Sequence, residues 1–175
     1  QSRALEAACV QEGIPYRLIG GVGFYKRREI RDLLAYLRLI NNPNDKVSFS
    51  RIANVPRRGI GKKSLTDFQR WAANTSENYD DAREKLINGE PSTISGRGRN
   101  AFVKFGTMLK EWRELVLTGN IINLFDTLMS DIGYSLYLND ISDTPEQAVE
   151  RAENIQELRG LVASAQEEEK PLAEF

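Results

Sequence analysis

The sequence predicts an all-α domain carrying a short helix–strand appendage at its N-terminus. Three observations predict it. Apolar residues recur at helical spacing in one segment after another from Ile30 to Val162. Gly, Pro and Asn cluster between those segments, where helices stop. Only one stretch, Ile14-Pro15-Tyr16-Arg17-Leu18-Ile19, has the make-up of a strand. The 175 residues are 41% hydrophobic and 28% charged, a globular rather than disordered composition.

Taken in order, Gln1 to Gln11 reads as a helix with Leu5, Ala8 and Cys9 on one face and Gly13 as its stop. Opening directly inside that pattern, the chain reads as part of something longer. The strand follows and closes at Gly20-Gly21. Beyond Phe24 and Tyr25, read as core aromatics, a helix places Ile30, Leu33, Leu34, Leu37 and Ile40 on one stripe. Asn41-Asn42-Pro43 ends it, because the residue before a proline avoids the α region. Asn44 or Asp45 caps a short helix with Phe49, Ile52 and Ala53 inward. Next comes Val55-Pro56 and the turn Gly59-Ile60-Gly61. Leu65, Phe68 and Ala72 then mark a helix reaching about Asn74, and Thr75-Ser76 offers a cap for a segment with Tyr79, Ala82 and Leu86.

Gly89 to Gly98 is rich in Gly, Ser, Thr and Pro and predicts a mobile loop or long turn. A long helix follows with Phe102, Phe105, Leu109, Trp112 and Leu115 inward, broken by Gly119-Asn120. Leu124, Phe125, Leu128 and Ile132 predict another, stopped by Gly133. Thr144-Pro145-Glu146-Gln147 is a helix start, with Thr144 as cap, Pro145 at the first position and Gln147 completing a capping box. Ala148, Ala152, Ile155, Leu158 and Val162 line one side of that helix. Trp71 and Trp112 read as packing residues, and Cys9 as a small buried side chain.

Charge is distributed unevenly. Residues 1–70 hold 14 Lys/Arg against 6 Asp/Glu, and residues 71–175 hold 10 against 19, although the whole chain nets −1. A basic half of this kind suits a polyanion. Its centre is the Gly-Ile-Gly turn, flanked by Arg57, Arg58, Lys62 and Lys63, with no acidic residue between Asp45 and Asp67. Glycines permit φ > 0 and leave backbone N–H groups uncovered, and the start of a helix attracts anions. One reading is therefore a phosphate grip. The other is an ordinary tight turn between packed helices, with Ile60 pinned inward. Ser64 and Thr66 either add hydroxyl contacts to phosphate or cap the helix, roles that are compatible. Lys26, Arg27 and Arg28 form a second basic cluster, for which an ion pair with Glu29 competes with DNA contact. Arg97 and Arg99 read as solvated loop residues or auxiliary phosphate contacts.

Several chemistries are excluded. The chain has no histidine and one cysteine, so it holds no His-based acid–base pair or triad, no zinc ligand set and no intrachain disulfide. Single-cysteine usage fits a reducing, cytoplasmic setting. No apolar run nears the roughly 20 residues of a membrane helix, so no membrane partner is expected.

Gln1-Ser2-Arg3 with its helix, Ile14-Pro15-Tyr16-Arg17, and Gly20-Gly21-x-x-Phe24-Tyr25-x-Arg27-x-Glu29-Ile30-x-Asp32 closely resemble the UvrD/PcrA/Rep-type DNA helicases. The resemblance continues through Leu34-Ala35-Tyr36-Leu37-Arg38-Leu39-Ile40 and Asn54-Val55-Pro56-Arg57-Arg58-Gly59-Ile60-Gly61, so it is dense over residues 1–70. It implies that residues 1–19 end the motor subdomain called 2A, and that residues 20–175 form most of the inserted helical subdomain 2B, with Gly20 and Gly21 as the hinge. It makes the Gly-Ile-Gly turn a helix-hairpin-helix-like element touching the duplex ahead of the motor. The implied DNA-binding set is Arg57, Arg58, Gly59, Ile60, Gly61, Lys62, Lys63, Ser64 and Thr66, with Lys26, Arg27 and Arg28 as secondary contacts.

The implied partners are duplex or duplex/single-strand junction DNA, the remainder of the motor, and repair or transcription proteins. ATP and Mg²⁺ belong to the parent helicase, which serves DNA repair or replication. This chain contains no G-x-x-x-x-G-K-[ST] loop, so alone it is expected to be catalytically inert, with no cofactor and no metal. Phosphate contacts position a protein without reading sequence. With about four phosphates neutralised, the log–log salt slope would be about −3.6. The alternative, drawn from the acidic second half, is a protein-interaction and autoinhibitory module that regulates the motor without touching DNA.

Overall fold

A computed structural model describes residues 23–94 and 96–167. Among them lie eight α-helices and one short 3-10 turn, Phe24–Lys26, and no strand, so the all-α expectation holds. The helix of Gln1 to Gln11, Cys9, the Ile14–Ile19 strand and the glycines Gly20 and Gly21 lie outside the described residues.

Helix α1 (Arg28–Asn41) buries Ile30, Leu33, Leu34, Leu37 and Ile40, and also Tyr36 and Leu39. Helix α2 (Lys46–Ile52) is capped by Asp45, whose carboxylate accepts from the N–H groups of Val47 and Ser48 at 3.0 Å each. Helix α3 (Lys62–Thr75) buries Phe68, Trp71 and Ala72. Helix α4 (Tyr79–Ile87) is capped by Asn78 rather than by Thr75 or Ser76. Thr75 instead bonds back to the carbonyl of Trp71 at 2.7 Å, because α3 runs one residue past the expected end.

Helix α5 (Gly96–Val116) begins inside the stretch expected to be loop, so Arg97 and Arg99 are helical. Gly106 on α5 allows a close crossing, since a Cβ there would lie 3.2 Å from Ile87 Cδ1 of α4. Helix α6 (Ile121–Asp131) is followed by Gly133 at φ +60 and then by α7 (Tyr134–Asp140). Unlike α2, which is equally short but opens on the Asp45 cap, α7 has no side-chain cap to mark its start in the sequence. Helix α8 (Pro145–Glu167) buries Ile155, Leu158 and Val162, while Ala152 lies exposed. Thr144 Oγ1 accepts the N–H of Gln147, but Gln147 Oε1 reaches Asp143 N at 2.9 Å, one residue beyond the expected capping box.

An aromatic cluster joins α1 to α5. Phe68 stacks on Phe102 with centroids 4.7 Å apart, Phe49 lies 5.1 Å from Phe68, and Tyr36 meets Trp112 edge-on at 5.9 Å. Each such side chain contributes about 1.5–3 kcal/mol through burial. Phe24 joins the core, whereas Tyr25, read as core, is 45% exposed and touches Phe24 edge to face. Polar ties fix α1 against its neighbours. Glu29 is buried, paired with Arg151 at 2.7 Å and accepting from Asn154 at 2.8 Å. Asp32 meets Arg51 at 2.6 Å and accepts from Tyr134 at 3.1 Å. Burial drives the Asp32 carboxyl above its ordinary value of 3.8, against the opposing pull of Arg51. No helix among the described residues is long and apolar enough to cross a membrane.

Candidate nucleic-acid interface

The connection from α2 to α3 is built around Asn54. Its side-chain carbonyl accepts the backbone N–H of Arg58 at 2.9 Å and of Ile60 at 3.1 Å, drawing the turn into one loop. Ile60 is 2% exposed and anchors the loop in the core, as expected. Two turn amides are thus directed inward, not outward as the glycines alone suggested. Gly59 adopts φ +88, where side chains are strained, while Gly61 has φ −76 and ψ 172, ordinary extended backbone. The peptide Val55–Pro56 is cis.

Gly61 is the N-cap of α3 and supplies no side-chain bond. The first intrahelical acceptor is the Gly61 carbonyl, which takes Leu65 N at 3.0 Å. The N–H groups of Lys62, Lys63 and Ser64 therefore start the helix without intrahelical partners, at the positive end of its dipole. No acidic residue lies in this first turn. Arg57, Gly59, Gly61, Lys62, Lys63 and Thr66 are exposed around it, and Ser64 is half-buried.

Arg58 stands apart from that surface. Its guanidinium donates to the Tyr36 hydroxyl and to the carbonyl of Val55, the latter at 2.9 Å. The charge sits 4.3 Å from the Phe105 ring centroid. Tyr36 in turn donates to the Val55 carbonyl. Burial pushes the Tyr36 phenol up to about 12, although the Arg58 charge opposes that shift, so it remains a donor at neutral pH. Arg58 holds the turn's shape, and the exposed cations of the turn are Arg57, Lys62 and Lys63.

The second basic cluster is mostly engaged within the fold. Arg27 donates to Asn154 and lies 3.8 Å from Glu150, so its ion-pair partner is on α8 rather than Glu29. Arg28 donates to the Tyr137 hydroxyl at 2.8 Å. Lys26 is exposed. Arg99 donates to the Glu90 carbonyl at 3.0 Å, and Arg97 is exposed.

Two residues have roles here that carry little signal in the sequence. Asn54 was legible only as an asparagine before a turn, a residue type that bonds nearby backbone. Lys104 of α5 is exposed and shares with Arg57 a cleft of about 280 Å³ floored by Phe105, Met108 and Ile132. Its distance from the turn along the chain left no local signal. Among the described residues no group of three or more His, Cys, Asp or Glu could hold a metal ion.

Residues 1–174 match the family described as the UvrD-like helicase C-terminal domain. The chain is 38% identical over 157 residues to the ATP-dependent DNA helicase UvrD1 of Mycobacterium tuberculosis, covering 90% of this chain and 20% of that protein. It is 37% identical over 158 residues to the ATP-dependent DNA helicase Rep of Escherichia coli, covering 90% and 23%. With the ATP-dependent DNA helicase PcrA of Leuconostoc citreum it shares 33% over 171 residues, covering 98% and 22%. The chain thus spans about a fifth of the length of these relatives.

Proposed function

Since this chain belongs to the family of UvrD-like helicase C-terminal domains, we propose that it is a non-catalytic accessory part of an ATP-dependent DNA helicase and grips duplex DNA through backbone phosphates. The observation carrying this reading is the start of α3. There a helix N-terminus without a side-chain cap, the Gly59–Gly61 turn and the exposed Arg57, Lys62 and Lys63 fall together within residues 57–64. Backbone amides and cations bind phosphate oxygens without selecting bases. Ser64 and Thr66 add hydroxyl contacts, while Arg58 and Ile60 hold the loop in shape. The turn then works as a helix-hairpin-helix-like element at a duplex or duplex/single-strand junction.

In this reading residues 1–19 belong to the motor's 2A subdomain and residues 20–175 to subdomain 2B, pivoting at Gly20 and Gly21. ATP and Mg²⁺ serve the parent motor, in a cytoplasmic protein of DNA repair or replication. Non-specific binding of this kind has a Kd of about 10⁻⁴ to 10⁻⁶ M at physiological salt. Weak grip suits a moving motor, which releases its track as often as it holds it.

Fluorescence anisotropy with labelled duplexes of unrelated sequence tests the proposal. The chain should bind them equally. The Arg57→Ala, Lys62→Ala, Lys63→Ala triple variant should lose at least tenfold in affinity with an unchanged thermal melt. Equal binding by a folded triple variant would remove the turn from the interface.

A further inference from the structure

We propose that the apolar cleft between α6, α7 and α8 is a docking groove for a basic amphipathic helix of a separate protein. The cleft has a volume of about 370 Å³. Leu138 of α7 and Ile155 of α8 form its buried floor, and Met129 of α6 one wall. Ala148 and Ala152 lie one turn apart on α8, and their short side chains leave the space open. Val149 stands at the edge, 59% exposed. A helix presenting apolar anchors at i, i+3, i+4 and i+7 fits a groove of this form.

Charge decides the partner. From Glu114 to Glu150 the chain has seven carboxylates and no lysine or arginine. Asp140 at the end of α7, Asp143 on the α7–α8 connection and Glu146 in the first turn of α8 are exposed next in sequence to Asn139 and Pro145, which line the cleft. Glu150 instead lines a separate pocket with Arg27, Arg28 and Arg151, 3.8 Å from Arg27, so the field beside the cleft is that of Asp140, Asp143 and Glu146. Such a field attracts cationic flanks and repels a phosphate backbone, so the groove is no extension of the Gly59–Gly61 surface. The chain's own residues 1–22 offset Arg3 and Arg17 with Glu6 and Glu12 and lack the complementary charge. This inference does not depend on the DNA reading.

The test uses a labelled synthetic helical peptide with Leu at i, i+3, i+4 and i+7 and Lys or Arg at the flanking positions. The 175-residue chain should bind it with micromolar affinity. Ala152→Trp fills the groove at an exposed position without changing charge and should weaken binding at least tenfold. Val149→Asn, a second exposed substitution, should weaken it too, and both should keep the wild-type melt. A peptide of the same composition with its leucines dispersed should not bind. The proposal is overturned if the dispersed peptide binds equally, or if neither folded variant loses affinity. It is also overturned if the groove variants abolish self-association of the chain, which would make the occupant a second copy. Binding to this chain but not to the full-length parent would equally sink it, because the parent's own residues would then fill the groove.

Discussion

The side-chain carbonyl of Asn54 accepts the backbone N–H of Ile60 at 3.1 Å, and that bond closes the loop on which the proposed phosphate surface sits. The same oxygen takes Arg58 N at 2.9 Å, so one side chain satisfies two turn amides. Asn54→Ala strands both and should cost about 1–3 kcal/mol. Asn54→Asp keeps the acceptor and should recover most of the loss. Urea unfolding checks both variants; DNA affinity should fall in Asn54→Ala because the loop loosens, and in Asn54→Asp because a carboxylate at the turn repels phosphate.

Arg57 and Arg58 are adjacent in sequence and should separate in experiment. Arg58→Ala removes donors to Tyr36 and Val55 and should destabilise by about 1–3 kcal/mol. Arg58→Lys should not rescue it, since an ammonium cannot reproduce the planar fork lying against Phe105. Arg57→Ala, at an exposed site, should stay within about 0.5 kcal/mol of wild type while weakening duplex binding. Thermal melts read against anisotropy titrations distinguish the two.

Gly61→Ser should trade binding for stability. Its φ of −76 suits any residue, and an added Cβ meets nothing within 4 Å. A serine hydroxyl at the N-cap accepts a helix-start amide and should add a few tenths of a kcal/mol, roughly. That amide is then withdrawn from phosphate, so duplex affinity should fall as the melting temperature rises. A variant that gains stability and binds DNA better would contradict the role given to these amides.

Much of the fold was legible because burial imposes helical spacing, as in Ile30, Leu33, Leu34, Leu37 and Ile40 of α1. A cap at Asn44 or Asp45 and the inward Ile60 were legible from local rules alone. The fate of Arg58 was not. Read locally it was one of four cations beside a turn, whereas Tyr36 and Phe105, brought in by other helices, turn it inward. Glu29 likewise finds Arg151 and Asn154 on α8, which no nearby residue announces. Helix α7 escaped because it starts at Gly133, which reads as a stop and offers no side-chain cap, whereas the equally short α2 opens on Asp45.

Asp45 gives a pH dependence of defined sign. Burial alone would raise its carboxyl, but bonds from Ser48 Oγ, Ser48 N and Val47 N together hold it below 3.8. A lowered folded value means that its contribution is present above the ordinary carboxyl range and is lost as pH falls through the lowered one. Asp45→Asn keeps the cap without the titration. The stability advantage of wild type over this variant should therefore shrink below about pH 4, where Asp45 protonates. Urea midpoints for both proteins across that range give the measurement.

If the start of α3 neutralises phosphates, duplex binding must weaken with salt in proportion to the cations that face the DNA. With Arg58 turned inward, three exposed cations remain at the turn, and three neutralised phosphates give a log–log slope of about −2.7. The Arg57→Ala, Lys62→Ala, Lys63→Ala triple variant should flatten that slope towards zero while keeping its fold. A triple variant with the wild-type slope and affinity would show that the start of α3 holds no phosphate.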